Sequence, residues 1–209
     1  MKIIFISGRE HTYVRNAMLL KGLKGNSAKV ILCTSTSSSY LIRYCKALYK
    51  YFSCDKDDVK LVFIGFFGQP LAPIVKKLTK KPIVLDAFIS AYDTMCFDRK
   101  KFKPNSLVGK FFFWLDKYSC ENSDKILLDT NAHIDYFVHT FGLPRNKFQR
   151  IYVGADESIF YPREAEREDN CFRVFYYSSY LPLHGTEYII QAAKILERKR
   201  DIKFTIIGD

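Results

Sequence analysis

Short runs of consecutive apolar residues alternate along most of this chain with stretches whose apolar positions recur every three or four residues. The runs at residues 3–6, 30–32, 61–64, 83–85, 126–128 and 148–153 are rich in Val, Ile and Phe. Unbroken apolar runs of this length predict strands buried on both faces, the usual pattern of parallel strands. The stretches between them, residues 13–23, 40–52, 71–78, 106–120 and 132–140, predict helices. Pro70 suits the first turn of one helix, and Gly142 followed by Pro144 suits a left-handed C-terminal cap. Repeated strand–helix–strand units predict an α/β domain with a parallel sheet, right-handed crossovers and helices on both faces.

The last residues repeat the pattern once. Residues 173–177 predict a strand, 178–185 a loop, 186–200 an amphipathic helix and 203–207 a second strand. The chain stops at Gly208-Asp209, where such a strand would pass to its next helix. One unit of this kind cannot cover both faces of a parallel sheet, so it predicts the opening of an incomplete second Rossmann-like domain. Residues 163–170 are charged and aperiodic, and predict a linker between a first domain at 1–162 and a second at 171–209. Two segments escape the alternation: the polar loop 34–39, and the connection 86–105. A connection of that length in a compact domain is expected to be functional or mobile.

Composition narrows the partners. The chain has 209 residues and a net charge of +11. Residues 1–162 hold 25 Lys and Arg against 14 Asp and Glu, so the excess lies in the first domain. A basic face suits phosphates, anionic lipid headgroups or nucleic acid. No nucleic-acid-binding motif accompanies the charge, so nucleic acid is not expected as a partner. The stretches 40–52 and 99–114 are basic and aromatic at helical spacing. They fit a weak contact with an anionic membrane surface, or helices that turn Leu41, Tyr44 and Leu48 to the core and lysines to water. Six cysteines without C-x-x-C spacing predict free thiols and no metal site. The start is too short for a signal peptide, and the longest apolar candidate, 61–75, is broken by Gly65, Gly68, Pro70 and Pro73. A cytoplasmic protein is expected, with peripheral contact at the inner face of the membrane as an alternative.

Ligands of open α/β sheets bind beyond the carboxyl ends of the strands, and four loops qualify. Ser7-Gly8-Arg9-Glu10-His11 precedes a helix whose free N–H groups favour phosphate, although a single glycine makes neither a P-loop nor a dinucleotide fingerprint. The segment from Asp86 through Ser90, Tyr92 and Asp93, continuing to Asp98-Arg99, brings carboxylates and a tyrosine that suit sugar hydroxyls or an acid/base pair. The structural alternative makes Asp86 and Ser90 turn residues and pairs Asp98 with nearby lysines. The third loop is 152–157. The fourth, 178–185, puts His184 just before a helix, either as a diphosphate ligand or as a structural histidine.

The segment Gly154-Ala155-Asp156-Glu157-Ser158-Ile159-Phe160-Tyr161-Pro162 resembles the G-V-D-x-x-x-F-x-P joint between the lobes of GT-B glycosyltransferases of group 1, family 4. Pro182-Leu183-His184-Gly185 and residues 187–193 and 204–208 resemble that family's P-x-K-G, helix and strand. Residues 124–130 resemble its A-D-x-V-I-x-x-S segment. The resemblance implies a retaining transfer of sugar from a nucleotide-diphosphate donor to a glycan or lipid-linked acceptor, with no cofactor and no essential metal. It implies Asp86 and Asp93 as catalytic candidates. Arg9, Tyr13, Ser90 and Tyr92 are then expected on the acceptor, and Gly8, Arg15, Ser179, His184 and Gly185 on the donor. The family's Arg and Lys before the second-lobe helix read here as Ser179 and His184, which lowers the fixed positive charge available to a departing diphosphate. Its E-x7-E donor motif falls beyond residue 209, so this chain is expected to bind donor weakly and to be inactive alone. A non-catalytic lobe, or another Rossmann-like nucleotide-binding protein such as a nucleotide-sugar epimerase or regulatory module, is the alternative.

Overall fold

The computed structural model describes residues 1–162, 170–181 and 184–208. The chain divides into two compact units, Met1–Ile159 and Phe160–Asp209. The first unit is a six-stranded, wholly parallel sheet. Its strands are β1 (Lys2–Ile6), β2 (Lys29–Cys33), β3 (Val59–Ile64), β4 (Ile83–Asp86), β5 (Lys125–Leu128) and β6 (Phe148–Arg150), in the spatial order β2-β1-β3-β4-β5-β6. The helices between them are α1 (Val14–Gly25), α2 (Tyr40–Ser53), α3 (Leu71–Leu78), the short α4 (Ala91–Asp93), α5 (Leu107–Glu121) and α6 (Asn131–Phe141).

Alternation along β1 shows how the layers form. Ile4 and Ile6 face one side with Ala47 and Tyr51 of α2, Val75 of α3, Cys120 of α5 and Phe137 of α6. Ile3 and Phe5 face the other side with Leu20 of α1. Every residue from Ile3 to Ile6 is at most 1% exposed, which is why the strand reads as an unbroken apolar run rather than an alternating one. Among the described residues, α1 is the one helix in the second layer.

The predicted caps and boundaries mostly stand. Gly142 caps α6 in the left-handed region at φ 66°, where the absence of a Cβ removes the steric cost. Two boundaries and the facing of one residue differ. The run 148–153 pairs as a strand only at Phe148–Arg150, because it lies on the sheet edge and its remainder leaves the ladder. The connection 86–105 is not structureless: Ser90 caps α4 by accepting from the Asp93 N–H, and Thr94–Asp98 continue it as a π-helical turn. Leu41 does not face the core; it is 74% exposed.

The second unit pairs β7 (Phe172–Ser178) in parallel with β8 (Ile202–Gly208), and α7 (Thr186–Ile195) connects them. The helix is shorter than its sequence pattern, ending at Ile195 with Leu196 as its C-cap at the start of a turn. None of its described residues is buried. The expected linker 163–170 lies outside the described residues except for Asn170, as do Pro182 and Leu183 of the P-x-K-G-like segment.

Candidate functional site

The strand order reverses between β1 and β3: the chain runs outward from β1 to β2, then returns past β1 to build β3 to β6. A crevice opens at such a switch point beyond the carboxyl ends of the strands. Here it is a cavity of about 410 Å3. The β1 loop contributes Arg9 and Tyr13, the β3 loop Phe66, Phe67 and Gln69, and α2 contributes Tyr40. Met95 and Arg99 come from the π-helical segment and its end, and Phe112 from α5.

Buried polar side chains tie the loops around this crevice. Asn16, wholly buried in the first turn of α1, donates to the carbonyls of Arg9 and Glu10 at 3.3 and 3.0 Å and accepts from the Phe66 N–H at 3.0 Å. It joins the β1 loop to the β3 loop. Gln69 donates to the carbonyls of Ala87 and Ile89, joining the β3 loop to the β4 loop. A Cβ on Gly8 would stand 2.1 Å from the Phe67 carbonyl oxygen, which itself accepts from the Tyr44 hydroxyl at 2.9 Å. The glycine expected on the donor therefore lets two loops touch.

Arginines and aromatic rings set the character of the crevice. The Arg9 guanidinium lies 4.9 Å from the centre of the Tyr13 ring and donates to the Tyr40 hydroxyl at 2.7 Å. Tyr13 stacks on Phe66 at 5.1 Å. Glu10 sits between Arg9 and Arg43, at 3.4 and 3.2 Å. A mouth of rings with guanidinium groups accepts an apolar or planar group beside a negative charge.

The other sequence candidates fall elsewhere. Asp86 is wholly buried and meets the Arg15 guanidinium in a fork, with contacts at 2.8, 3.1 and 3.3 Å. The remaining Arg15 nitrogen donates to the carbonyls of Ile151 and Tyr152. All three Arg15 nitrogens thus have protein partners, and the pair ties α1 to the ends of β4 and β6. Burial pushes the Asp86 carboxyl above its ordinary range while Arg15 pulls the other way. Ser90 donates to Asp116 at 2.7 Å and caps α4. Tyr92 packs edge-on to Phe97, Phe113 and Phe141, inside the helical layer. Asp93 is half-buried, and burial raises its carboxyl against the opposing pull of His133. His133 in turn sits 2.6 Å from Asp129 at the end of β5.

In the second unit, Ser179 and His184 line a concavity at the carboxyl ends of β7 and β8. The Ser178 hydroxyl lies 2.5 Å from Nδ1 of His184, leaving Nε2 as the ring's other polar atom. Gly185 holds φ 61° directly before α7, a backbone region that favours glycine.

Of the expected acceptor residues, the crevice collects Arg9 and Tyr13 and leaves out Ser90 and Tyr92. Sequence reading missed Phe66, Phe67, Gln69 and Phe112, and reached Arg99 only as the end of the candidate loop that starts at Asp86. The available signal was Gly65-Phe66-Phe67-Gly68-Gln69-Pro70 itself, a strand end with two glycines running into a proline-started helix. Among the described residues, no three His, Cys, Asp or Glu side chains gather as a metal site.

No protein-family model and no curated protein sequence matches the chain. Solved structures do. The glycotransferase of kitacinnamycin aligns with 98% of this chain at 10% identity and a TM-score of 0.56. Anabaena HepE in complex with UDP and glucose aligns with 100% of it, at 11% identity and a TM-score of 0.58. The fold is of the GT-B type. The chain spans 65% and 61% of the lengths of those two proteins. A third structure, HepE with UDP, aligns at 12% identity with a TM-score of 0.55. At such identities the likeness concerns the GT-B fold and leaves the chemistry to the residues present. Among the described residues, no helix is long and apolar enough to cross a membrane.

Proposed function

We propose that this chain forms the acceptor lobe, and the start of the donor lobe, of a glycosyltransferase using a nucleotide-diphosphate sugar. The observation that carries the reading is the crevice at the β1/β3 switch, with Arg9 and Arg99 set among aromatic rings. Its GT-B-type fold and the UDP bound to HepE support a nucleotide sugar as donor. In this reading the acceptor enters the crevice and stacks on Tyr13 and Phe66. The diphosphate meets the second unit at Ser179, His184, Gly185 and the first free N–H groups of α7, where the helix dipole and a donor from Nε2 offset the leaving charge. Asp93, poised by burial and by His133, is the remaining carboxylate candidate for proton handling. Asp86 acts by holding Arg15 and the rim. Transfer with retention, as in family 4, is part of the proposal.

Saturation-transfer NMR of the full chain with UDP, GDP and UDP-glucose tests the donor assignment, because it detects weak binding. Saturation reaching the UDP or GDP protons, and diminished by His184→Ala, is the expected result. Transfer to none of the three, with the chain folded by circular dichroism, overturns the assignment.

A further inference from the structure

The outer face of α5 is apolar where a sheet-covering helix should be polar. Leu107, Phe111 and Trp114 recur at helical spacing and are 87%, 51% and 50% exposed. Tyr118, one turn further, stacks on Trp114 with ring centres 5.0 Å apart. The rings form a run that leads inward: Trp114 lies 6.1 Å from Phe111, and Phe111 lies 5.7 Å from Phe112. Phe112 lines the crevice at the strand switch.

The neighbouring polar groups are nearly all of one sign. Lys110 flanks the rings on α5, as does Lys117, which lies 4.0 Å from Glu121, and Arg99, Lys100, Lys101 and Lys103 precede the helix. Asp116 is buried, so the exposed acid of α5 is Glu121 at its far end. On α2, whose first residue Tyr40 lines the same crevice, Leu41, Ile42, Tyr49 and Phe52 are likewise exposed. Neither α2 nor α3 contains an acidic residue.

We propose that this face docks on an anionic phospholipid bilayer, with the α5 rings entering the headgroup–acyl boundary and the lysines on the phosphates. Aromatic rings favour that boundary, and each nearby basic residue strengthens binding to an anionic leaflet. A protein partner of similar chemistry has less to recommend it, since the cations are spread along loop and helix rather than paired for one carboxylate. The docking itself does not rest on the donor assignment; the opening of the acceptor crevice at the same surface does rest on the acceptor reading.

Trp114 is the chain's single tryptophan, so its emission reports this face alone. The full chain is titrated with phosphatidylcholine vesicles and with vesicles that also contain phosphatidylglycerol. A blue shift and co-sedimentation are expected with the anionic vesicles, weakening as salt is raised. Lys110→Glu is expected to weaken binding roughly tenfold. Leu107→Ser with Phe111→Ser should reduce both the blue shift and the binding while leaving circular dichroism and the UDP titration unchanged. No shift with either vesicle, or equal binding to both, overturns the proposal. So does a blue shift that grows with protein concentration without lipid, which would assign the face to a second copy of the chain.

Discussion

Asp116 is the clearest titrating residue inside the helical layer. It accepts from the Ser90 hydroxyl and the Tyr92 N–H through one carboxylate oxygen, while the other is buried without a partner among the described residues. Burial pushes its carboxyl up to about 6 against these hydrogen bonds. A folded-state value above the unfolded one means that the native chain holds the proton longer. Asp116 therefore lowers stability as pH rises from about 4 through about 6, by on the order of 3 kcal/mol in full. Asp116→Asn keeps an oxygen acceptor without the charge. Its urea-unfolding free energy, compared with wild type across this range, should show that component removed and a more stable chain at pH 7.

Asp86, by contrast, is held by a buried cation. Removing it strands the buried Arg15 guanidinium, so Asp86→Ala is expected to cost about 3–5 kcal/mol. Replacing both partners, Arg15→Met with Asp86→Leu, should recover part of that loss in the same urea titration. A carboxylate at a strand end and an arginine at a helix start were both visible in the sequence. Their pairing was not, because 71 residues separate them and no local spacing encodes the contact.

At the level of elements, the rim of the sheet is held by close contacts between loops rather than by strand pairing. Gly8 is the tightest of these. An alanine there must displace the Phe67 carbonyl, so Gly8→Ala is expected to destabilise by about 1–3 kcal/mol and to disturb the aromatic crevice. A lower midpoint in thermal melts with an unchanged far-UV spectrum would show it. Strands and helices were legible because burial on both faces writes unbroken apolar runs into the strands and three-to-four-residue patterns into the helices. The β3 loop was passed over because its two phenylalanines read as the broken end of an apolar run. The α4 turn was missed because eight residues of mixed polarity carry too little periodicity.

On the scale of the whole molecule, the two units differ in how much they bury. The first has apolar clusters on both faces of its sheet. In the second, Tyr177 is 75%, Tyr188 67% and Ile195 81% exposed, and little apolar burial opposes chain entropy. Amides of β7 and β8 are expected to exchange with deuterium faster than those of β1 and β3 by orders of magnitude. Equal protection in both units would refute this. The GT-B-type architecture was legible from the order of elements and from the joint and helix motifs. The crevice was legible only in outline, through the rule that ligands gather beyond strand ends.

The Arg15 tie has a consequence for the order in which the protein comes into being. Arg15 is made well before its two carbonyl partners, Ile151 and Tyr152, which follow 136 and 137 residues later. At about 5–20 residues per second, that is a wait of roughly 7–27 seconds on the ribosome. Until then the first strand and helix carry a cation meant for an interior that does not yet exist. The rim of the site is thus among the last parts of the first unit to close during translation.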